Sequence, residues 1–488
     1  MCKSYEDSEL VIGLVAPVGV DLESIVELLK RILGKFAYDI SVIKLSQIIQ
    51  EEGIYDTKID TSTNYNRIYT LMTAGNEFRK KARNNGILAM YAIQEILEKR
   101  VSRAPLKKTV HIIKSLKNTE EVLVFRRVYS NGFFLLGVSS SIANRLDYLT
   151  KSLHMSHTQA DSLMRRDESE NIKHGQHVRD VYHQSDAFID LDSNPQDCEN
   201  QLNRIIELIF GNPFHTPTIN EYGMFLACAS ALRSGDLSRQ VGAILMSNNC
   251  EVISTGSNDV PKYSGGLYWP NDNNVYRDIE KGFDSNEIER SKIVRNIMYK
   301  IDDKLVFCSP KTVTGLGRDL LKDTGVLDIT EYGRAVHAEM DAILSCTRMG
   351  ISTREATLYC TTFPCHNCAK HIVAAGIAKV IYIEPYPKSR ALPLHSDSIC
   401  ISTESNPIPK DKVIFQPFVG IAQRKYIDLF SIKKSTVKIE REKDGVKLDW
   451  RHTDTNIPLP LSLIPLSYIE REQNVVDGLK KIIESIQN

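Results

Sequence analysis

The sequence predicts an α/β protein made of two consecutive α/β domains. Strand-like and helix-like segments alternate through residues 1–150, and such alternation favours a largely parallel sheet covered by helices. A second alternation of the same kind begins near residue 220. Between the two, Gly211, Asn212 and Pro213 interrupt the chain, and residues of these types mark turns and boundaries.

In the first domain, short apolar runs predict the strands, and apolar residues at helical spacing predict the helices. The expected elements are strand 10–16, helix 22–33, strand 38–45, helix 87–99, strands 121–125 and 133–138, strand 186–190 and helix 201–210. The polar segment 147–180 contains His154, His157, His174 and His177, whose spacing matches no metal-ligand pattern. A solvated helical or lid-like segment is expected there.

In the second domain, the same criteria predict an ordered set of elements. They are helix 221–232, strands 240–246 and 251–255, helix 335–346, strand 357–361, a helix from Pro364 to residue 375, and strand 379–384. Residues 259–330 form a long polar insertion. A loop of this length either has a function or has structure of its own. The charged segment 426–488 is expected to be a separate C-terminal tail.

The composition excludes several classes of protein. The 488 residues are 42% hydrophobic, and 61 Lys and Arg balance 61 Asp and Glu, so no net basic field indicates a nucleic-acid partner. The apolar run 11–20 is too short to span a membrane and lacks the basic lead-in of a signal peptide. A cytoplasmic protein without a membrane partner is expected. Ten cysteines in this length favour metal or redox chemistry over a disulfide scaffold.

The residues that carry chemistry lie in the second domain. His337-Ala338-Glu339 is followed by Pro364-Cys365-His366-Asn367-Cys368, in which Cys365 lies 26 residues after Glu339. One His and two Cys can hold Zn²⁺ and leave a fourth position open, as in catalytic sites. Cys365 and Cys368 lie in the first turn of a predicted helix, so they face the same way, and the helix dipole favours their thiolates. Glu339 is poorly placed to be a ligand and is expected to carry protons.

A structural zinc knuckle or a redox Cys pair is the alternative interpretation of Cys365 and Cys368. The upstream H-x-E, the Pro before the pair and the strand between them argue against it. H-x-E followed by P-C-x-x-C is the known signature of the zinc deaminases. It implies attack of hydroxide at C4 of cytosine, with Glu339 moving protons to N3 and to the departing amine.

Residues 220–385 resemble the deoxycytidylate deaminases. The resemblance rests on five motifs in the family's order: Ser238–Ala243 (SRQVGA), Thr255–Asn258 (TGSN), His337–Ile343 (HAEMDAI), Thr357–Thr361 (TLYCT) and Pro364–Cys368 (PCHNC). It implies a cytidine-deaminase-like α/β/α domain over residues 216–425. It also implies that Asn258 contacts the nucleotide sugar, and that Arg239, Lys262 and Ala338 are further candidates for substrate binding.

The whole chain is similar to a narrower group, the bacterial anti-phage deoxycytidylate deaminases. Residues 222–243, 175–177 and 417–420 carry this similarity. It implies an N-terminal P-loop-NTPase-like α/β domain, kinase-like, over residues 1–212. It also implies that dCTP and dCMP are converted to uracil nucleotides, that an inhibitory RNA or protein holds the enzyme inactive until infection, and that the protein is a homo-oligomer.

The N-terminal sequence departs from that group at the P-loop. A P-loop reads G-x-x-x-x-G-K-[ST], with Lys on the phosphates and a hydroxyl on magnesium. Residues 13–23 read GLVAPVGVDLE, without either group, and Asp21 and Glu23 would repel phosphate. We therefore expect a degenerate P-loop domain with a regulatory or scaffolding role.

The groups that bind the rest of the nucleotide are less defined. Arg239 is the main phosphate candidate, whereas Arg233 and Lys262 fit ordinary surface charges equally well. Phe363 or Tyr268 could stack on the base, although a core role for Phe363 is equally compatible. Cys308 is expected to be a small buried thiol.

Three functions from different classes follow from these residues. A deaminase of free cytosine deoxynucleotides is the first, and the intact His337, Glu339, Cys365 and Cys368 favour it. A deaminase of RNA or single-stranded DNA is the second, but it should carry a basic, aromatic-lined channel that the composition does not indicate. A nucleotide-binding regulator without catalysis is the third.

Overall fold

The computed structural model describes residues 9–101, 104–168, 170, 174–192, 194–322, 324–386, 389–401, 411–432, 441–450 and 465–487. They divide into two units. Unit 1 comprises the described residues within 1–221 and 419–488, and unit 2 those within 222–401 and 411–418. No helix in these ranges combines the length and the apolar character needed to cross a membrane.

Strands and helices are numbered in chain order. The strands are β1 Leu10–Val15, β2 Asp39–Lys44, β3 Thr109–Lys114, β4 Phe133–Ser139, β5 Ala187–Asp190, β6 Gly242–Met246, β7 Val252–Ser257, β8 Thr357–Thr362, β9 Lys379–Glu384, β10 Ile399–Ile401, β11 Val413–Pro417, β12 Gly420–Ile421, β13 Glu442–Lys443 and β14 Val446–Lys447. The helices are α1 Leu22–Gly34, α2 Leu45–Glu52, α3 Asn64–Ala82, α4 Ile87–Glu98, α5 Thr119–Tyr129, α6 Ile142–Asp147, α7 His157–Glu168, α8 Val178–Tyr182, α9 Pro195–Ile209, α10 Ile219–Ala231, α11 Asp278–Lys281, α12 Ser285–Ile301, α13 Pro310–Leu320, α14 Ala338–Met349, α15 His366–Ala374, α16 Ala391–Leu394, α17 Gln423–Phe430 and α18 Pro465–Gln487.

Unit 1 is built on a six-stranded sheet in the order β12-β5-β4-β1-β3-β2, parallel except where β12 pairs antiparallel with β5. Strand β1 is buried throughout because both of its faces are apolar, as expected for a central parallel strand. Val11 and Val15 pack with α4, α5 and α18, whereas Ile12 and Leu14 pack with α1 and α9. The α/β class predicted for this part of the chain is therefore confirmed.

The strand predicted at 121–125 is wrong, because these residues lie inside α5. Asn118 and Glu121 form a capping box that starts the helix, and such a box satisfies backbone donors only in a helix. Val122 and Phe125 are fully buried, whereas Leu123 is exposed, which is helical spacing. The strand is instead β3, whose buried His111 obscured its apolar pattern.

Residues 147–180 are less solvated than expected. Leu163 and Met164 of α7 are buried together with Leu149 and Met155. Asp167 is also fully buried, and its carboxylate accepts hydrogen bonds from the Val18 amide at 2.6 Å and the Lys117 amine at 2.8 Å. Residues 169 and 171–173 of this segment lie outside the described residues.

The C-terminal segment also differs from the expected division. The units separate after Glu221, and α17 and α18 belong to unit 1 rather than to a separate tail. Tyr468, Ile469 and Leu479 of α18 join the unit 1 core, so the apolar face of this helix is buried in unit 1. The sequence of a helix shows that it has an apolar face but not which part of the chain that face packs against.

A buried ionic cluster fixes α18 to the sheet of unit 1. The Arg100 guanidinium lies 2.6 Å from a carboxylate oxygen of Glu9 and 2.6 Å from one of Glu472, and all three side chains are at most 1% exposed. Tyr129 donates to Glu472 at 2.8 Å, and Tyr468 donates to Glu9. Arg100 therefore joins the two carboxylates, each of which also accepts a hydrogen bond from a tyrosine.

Replacing Glu472 with alanine is expected to lower the free energy of unfolding of unit 1 by about 3–5 kcal/mol, because it leaves the Arg100 charge and the Tyr129 hydroxyl buried with fewer partners. Chemical denaturation measures this. Glu470→Ala, at an exposed position of the same helix, is the control and should change stability by less than about 0.5 kcal/mol. Equal effects of the two substitutions would contradict the anchoring role.

Unit 2 contains a mixed six-stranded sheet in the order β10-β11-β9-β8-β6-β7. Strand β6 is antiparallel to β7 and β8, whereas the other pairs are parallel. Helices α14 and α15 pack on one face with Ala243 and Leu245. Helix α10 packs on the other, where its Ala227 carbonyl approaches Gly242. This is the predicted α/β/α arrangement.

The insertion 259–330 has structure of its own. It contains α11, α12 and α13, with shorter 3₁₀ turns at Asp303–Phe307 and Val326–Asp328. Asp259 and Val336 form an antiparallel bridge, with backbone N–O distances of 3.3 and 2.9 Å. The insertion therefore leaves and rejoins the domain at one place, next to Asn258 and His337.

Candidate metal and catalytic site

The three predicted metal ligands meet where two helices begin. His337 precedes the first residue of α14, and Cys365 precedes the first residue of α15. The His337 Nδ1 atom lies 3.3 Å from the sulfur of Cys365 and 3.3 Å from that of Cys368. Among the described residues, this is the one group of three or more metal-binding side chains whose ligand atoms lie within 4.8 Å of one another.

The donor set suits Zn²⁺, and its surroundings favour the thiolate form of Cys365. One imidazole nitrogen and two sulfurs are ligands that zinc prefers, and three protein ligands leave a position open. The pKa of the Cys365 thiol falls to about 4, chiefly because Cys368 donates a hydrogen bond to it and also because His337 lies beside it. The hydrogen bond with Cys365 in turn raises the pKa of His337 to about 9. Thiolate is the form that binds metal.

Glu339 lies in the first turn of α14 and is 4% exposed. Burial raises the pKa of its carboxyl, and the nearby charge of His337 acts in the opposite direction. A carboxyl with a raised pKa can both accept and release a proton near neutral pH. Cys360 of β8, which belongs to the Thr357–Thr361 motif but was not predicted to be a site residue, is fully buried beside this group.

A close backbone contact positions the start of α14. A Cβ atom at Gly256 of β7 would lie 2.1 Å from the Ala338 carbonyl oxygen and 2.6 Å from the Ala342 amide nitrogen. Only glycine permits this approach. Ala338 itself is fully buried, and its expected contact with substrate stays a prediction. Asp341 also ties the helix to β7, because it accepts a hydrogen bond from the Ser257 amide at 3.3 Å.

Gly256→Ala is expected to displace α14 and to lower the stability of unit 2 by about 3 kcal/mol, since the added methyl meets backbone atoms. The free energy of unfolding and the zinc content per chain measure the effect. Gly315→Ala is the matched control, because a Cβ at Gly315 meets nothing within 4 Å. A folded Gly256→Ala variant with full zinc content would contradict the role of this contact.

The predicted substrate-binding side chains of Asn258, Arg239 and Lys262 each already have partners within the protein. Asn258 accepts from the Val241 amide at 2.7 Å and donates to the Arg239 carbonyl at 2.9 Å. The Arg239 guanidinium lies 3.2 Å from Glu384, and the Lys262 amine lies 2.9 Å from Asp272. A phosphate would have to replace these carboxylates as the partner of either base.

The structure also defines the surroundings of three residues that the sequence analysis left open: Arg233, Phe363 and Cys308. Arg233 stacks on Trp269, 3.9 Å from the ring centroid, and donates to two backbone carbonyls at 3.3 Å, so it is not an ordinary surface charge. Phe363 is 7% exposed and packs against Tyr382 and Phe415, which is a core role. The buried thiol expected at Cys308 is wrong, because Cys308 is exposed.

Comparison with known proteins identifies this part of the chain. Residues 217–384 match the family model of the cytidine and deoxycytidylate deaminase zinc-binding region. These residues are therefore similar to the zinc-binding region of the cytidine and deoxycytidylate deaminases. The zinc predicted for the chain is confirmed by this match and by the gathering of His337, Cys365 and Cys368.

Individual relatives are similar over shorter stretches. ComE operon protein 2 of Bacillus subtilis (strain 168) is 46% identical over 65 residues, which are 13% of this chain and 34% of that protein. The deoxycytidylate deaminase of Enterobacteria phage T4 is 47% identical over 55 residues, 11% of this chain and 28% of its own. The chain thus spans about a third of the length of these relatives.

Among solved structures, a shikimate kinase from Bacteroides thetaiotaomicron matches 41% of this chain and 98% of its own chain, at 12% sequence identity. The TM-score of 0.25 is too low to carry an argument.

Proposed function

We propose that this protein hydrolytically deaminates cytosine deoxynucleotides, dCMP, dCTP or both, to the uracil nucleotides and ammonia. The observation that carries the proposal is the buried carboxyl of Glu339 next to a His337–Cys365–Cys368 donor set at two helix N-termini. The family of residues 217–384 supports the same chemistry.

In this reaction His337, Cys365 and Cys368 hold Zn²⁺, which when bound supplies the Lewis acidity that makes water a nucleophile near neutral pH. Glu339 accepts the proton that the water loses and delivers it to N3 of cytosine as C4 is attacked. It then takes the remaining proton of the original water from the hydroxyl now on C4 and delivers it to the amino group, which leaves as ammonia while the C4 carbonyl of uracil forms. The burial of Glu339 keeps its pKa raised, so the carboxyl can perform both transfers.

Glu339→Gln is expected to lower the rate of ammonia release by about 10²- to 10⁴-fold, because glutamine cannot move protons. The assay offers dCTP, dCMP, deoxycytidine, CTP and single-stranded DNA in parallel, and zinc content is measured on each preparation. Glu251→Gln, at an exposed position of the same unit, is the control and should retain full activity.

The outcomes of this assay distinguish the alternatives. Turnover of dCTP or dCMP that Glu339→Gln abolishes supports the proposal and identifies the substrate. Turnover of single-stranded DNA alone would replace it with a polynucleotide deaminase. Zinc-loaded protein that acts on no substrate would point to a regulator without catalysis or to an enzyme held inactive.

We further propose that Arg239, with Lys262, binds the nucleotide phosphate by exchanging its carboxylate partner for a phosphate oxygen. Arg239→Ala should then raise the KM for the nucleotide substrate about tenfold and leave turnover of deoxycytidine unchanged. Steady-state kinetics on both substrates measure this, with the exposed Arg354→Ala of the same unit as control. An equal effect on nucleoside and nucleotide would contradict a phosphate role.

Other parts of the proposal concern the rest of the chain. The insertion 259–330 borders the site and helps to recognise the phosphates. The bridge between Asp259 and Val336 supports this idea, because these residues are adjacent in sequence to Asn258 and His337. The protein assembles as a homo-oligomer, depletes dCTP during phage infection and is restrained by an RNA or protein. Unit 1 has a regulatory or scaffolding role rather than ATP hydrolysis.

A further inference from the structure

Groups that follow three adjacent strands of unit 1 meet around one buried carboxylate. Strand β1 lies between β3 and β4 in the sheet. Val18 follows β1, Lys117 follows β3, and Arg145 of α6 follows β4. The carboxylate that they surround belongs to Asp167 of α7. The carboxyl ends of neighbouring parallel strands are where open α/β sheets bind their ligands.

The donors on Asp167 are of the kind that binds phosphate oxygens. Its side chain is fully buried, and its two oxygens accept from the Val18 amide at 2.6 Å and from the Lys117 amine at 2.8 Å. Backbone amides and ammonium groups are also the donors with which proteins hold phosphates. The carboxylate of Asp167 therefore occupies a position that suits an external oxyanion.

Arg145 gives a second, independent indication of a ligand. Its side chain is only 5% exposed, and its Nε atom donates to the Val18 carbonyl at 2.9 Å. Its Nη2 atom is buried and has no hydrogen-bond partner among the described residues. Burial lowers the pKa of this guanidinium, and the nearby negative charge of Asp167 acts in the opposite direction. A buried donor without an acceptor is unfavourable, and an oxygen of a ligand would satisfy it.

The charges in this pocket favour an anion with more charge than a carboxylate. Lys117 and Arg145 bring two positive charges to the single charge of Asp167. Glu168 lies 3.7 Å from Arg145 but is half exposed, so solvent screens it. The acids at the start of α1 have other partners, because Asp21 caps that helix and Glu23 pairs with lysines at the ends of β2 and β3.

We propose that this pocket binds a phosphate group and that Asp167 closes it when no ligand is bound. The phosphate takes the place of the carboxylate on the Val18 amide and the Lys117 amine, and it gives the Nη2 atom of Arg145 an acceptor. Helix α7, which carries Asp167, then moves away. Its Leu163 and Met164 pack in a small apolar cluster apart from the two larger cores of unit 1, so this movement leaves those cores intact.

Isothermal titration of the full-length protein with inorganic phosphate tests the proposal. Asp167→Asn removes the competing charge and nearly keeps the shape, so it should bind phosphate about tenfold more tightly than the parent protein. Adding Arg145→Gln to that variant should abolish most of the gain. Asp161→Asn, at an exposed position of the same helix, is the control and should bind like the parent protein.

Hydrogen exchange of the parent protein tests the movement of α7 and does not require any variant to fold. Phosphate should raise the exchange rate of the α7 amides relative to chloride at equal ionic strength. Arg239→Ala, which removes the phosphate ligand proposed for unit 2, should leave this response unchanged. The result is therefore independent of the proposed deaminase activity.

ATP in place of inorganic phosphate identifies the source of the phosphate group. Tighter binding of ATP at this pocket would assign it to nucleotides, and equal binding would assign it to free phosphate. Equal phosphate affinity of the parent protein and Asp167→Asn, a gain that survives Arg145→Gln, or unchanged exchange in α7 would each overturn the proposal.

Discussion

The meeting of two helix N-termini at His337, Cys365 and Cys368 is the arrangement on which the chemistry of unit 2 depends. Strands β8 and β9 are parallel, so the connecting helix α15 begins at the carboxyl end of β8 and presents Cys365 there. Helix α14 reaches the same edge because Gly256 lets its first turn lie against β7. A displacement of either helix would separate the 3.3 Å contacts between the His337 nitrogen and the two sulfurs.

The cysteines and Glu339 of this centre lie in different electrostatic surroundings. The helix dipoles place positive potential on the two cysteines, whereas Glu339 is held in a buried position that disfavours its ionised form. The basic side chains farther out are not free: Arg239, Lys262 and Arg334 pair with Glu384, Asp272 and Asp278. A phosphate bound there, as proposed, would have to compete with carboxylates already in place.

The sequence predicted the gathering of His337, Cys365 and Cys368, but it did not predict that α18 belongs to unit 1. The ligands and Glu339 were recognisable because their spacing within two short motifs determines their place on helices α14 and α15. Contacts between distant residues had no such signal. Arg100 and Glu472 are 372 positions apart, and neither local pattern indicates the other, so α18 could not be assigned to unit 1. The error at 121–125 has a different cause, since an apolar run of that length fits a strand or a helix and only the Asn118–Glu121 capping box decides between them.

Unit 1 has a largely parallel sheet, and carboxylates accept hydrogen bonds from amides near the start of its helix α1. A phosphate loop binds anions because backbone amides at the start of a helix are left without partners. Here the Asp21 carboxylate accepts hydrogen bonds from the amides of Glu23 and Ser24, and Asp167 accepts one from Val18. The chain thus satisfies with its own carboxylates three amides around the start of helix α1.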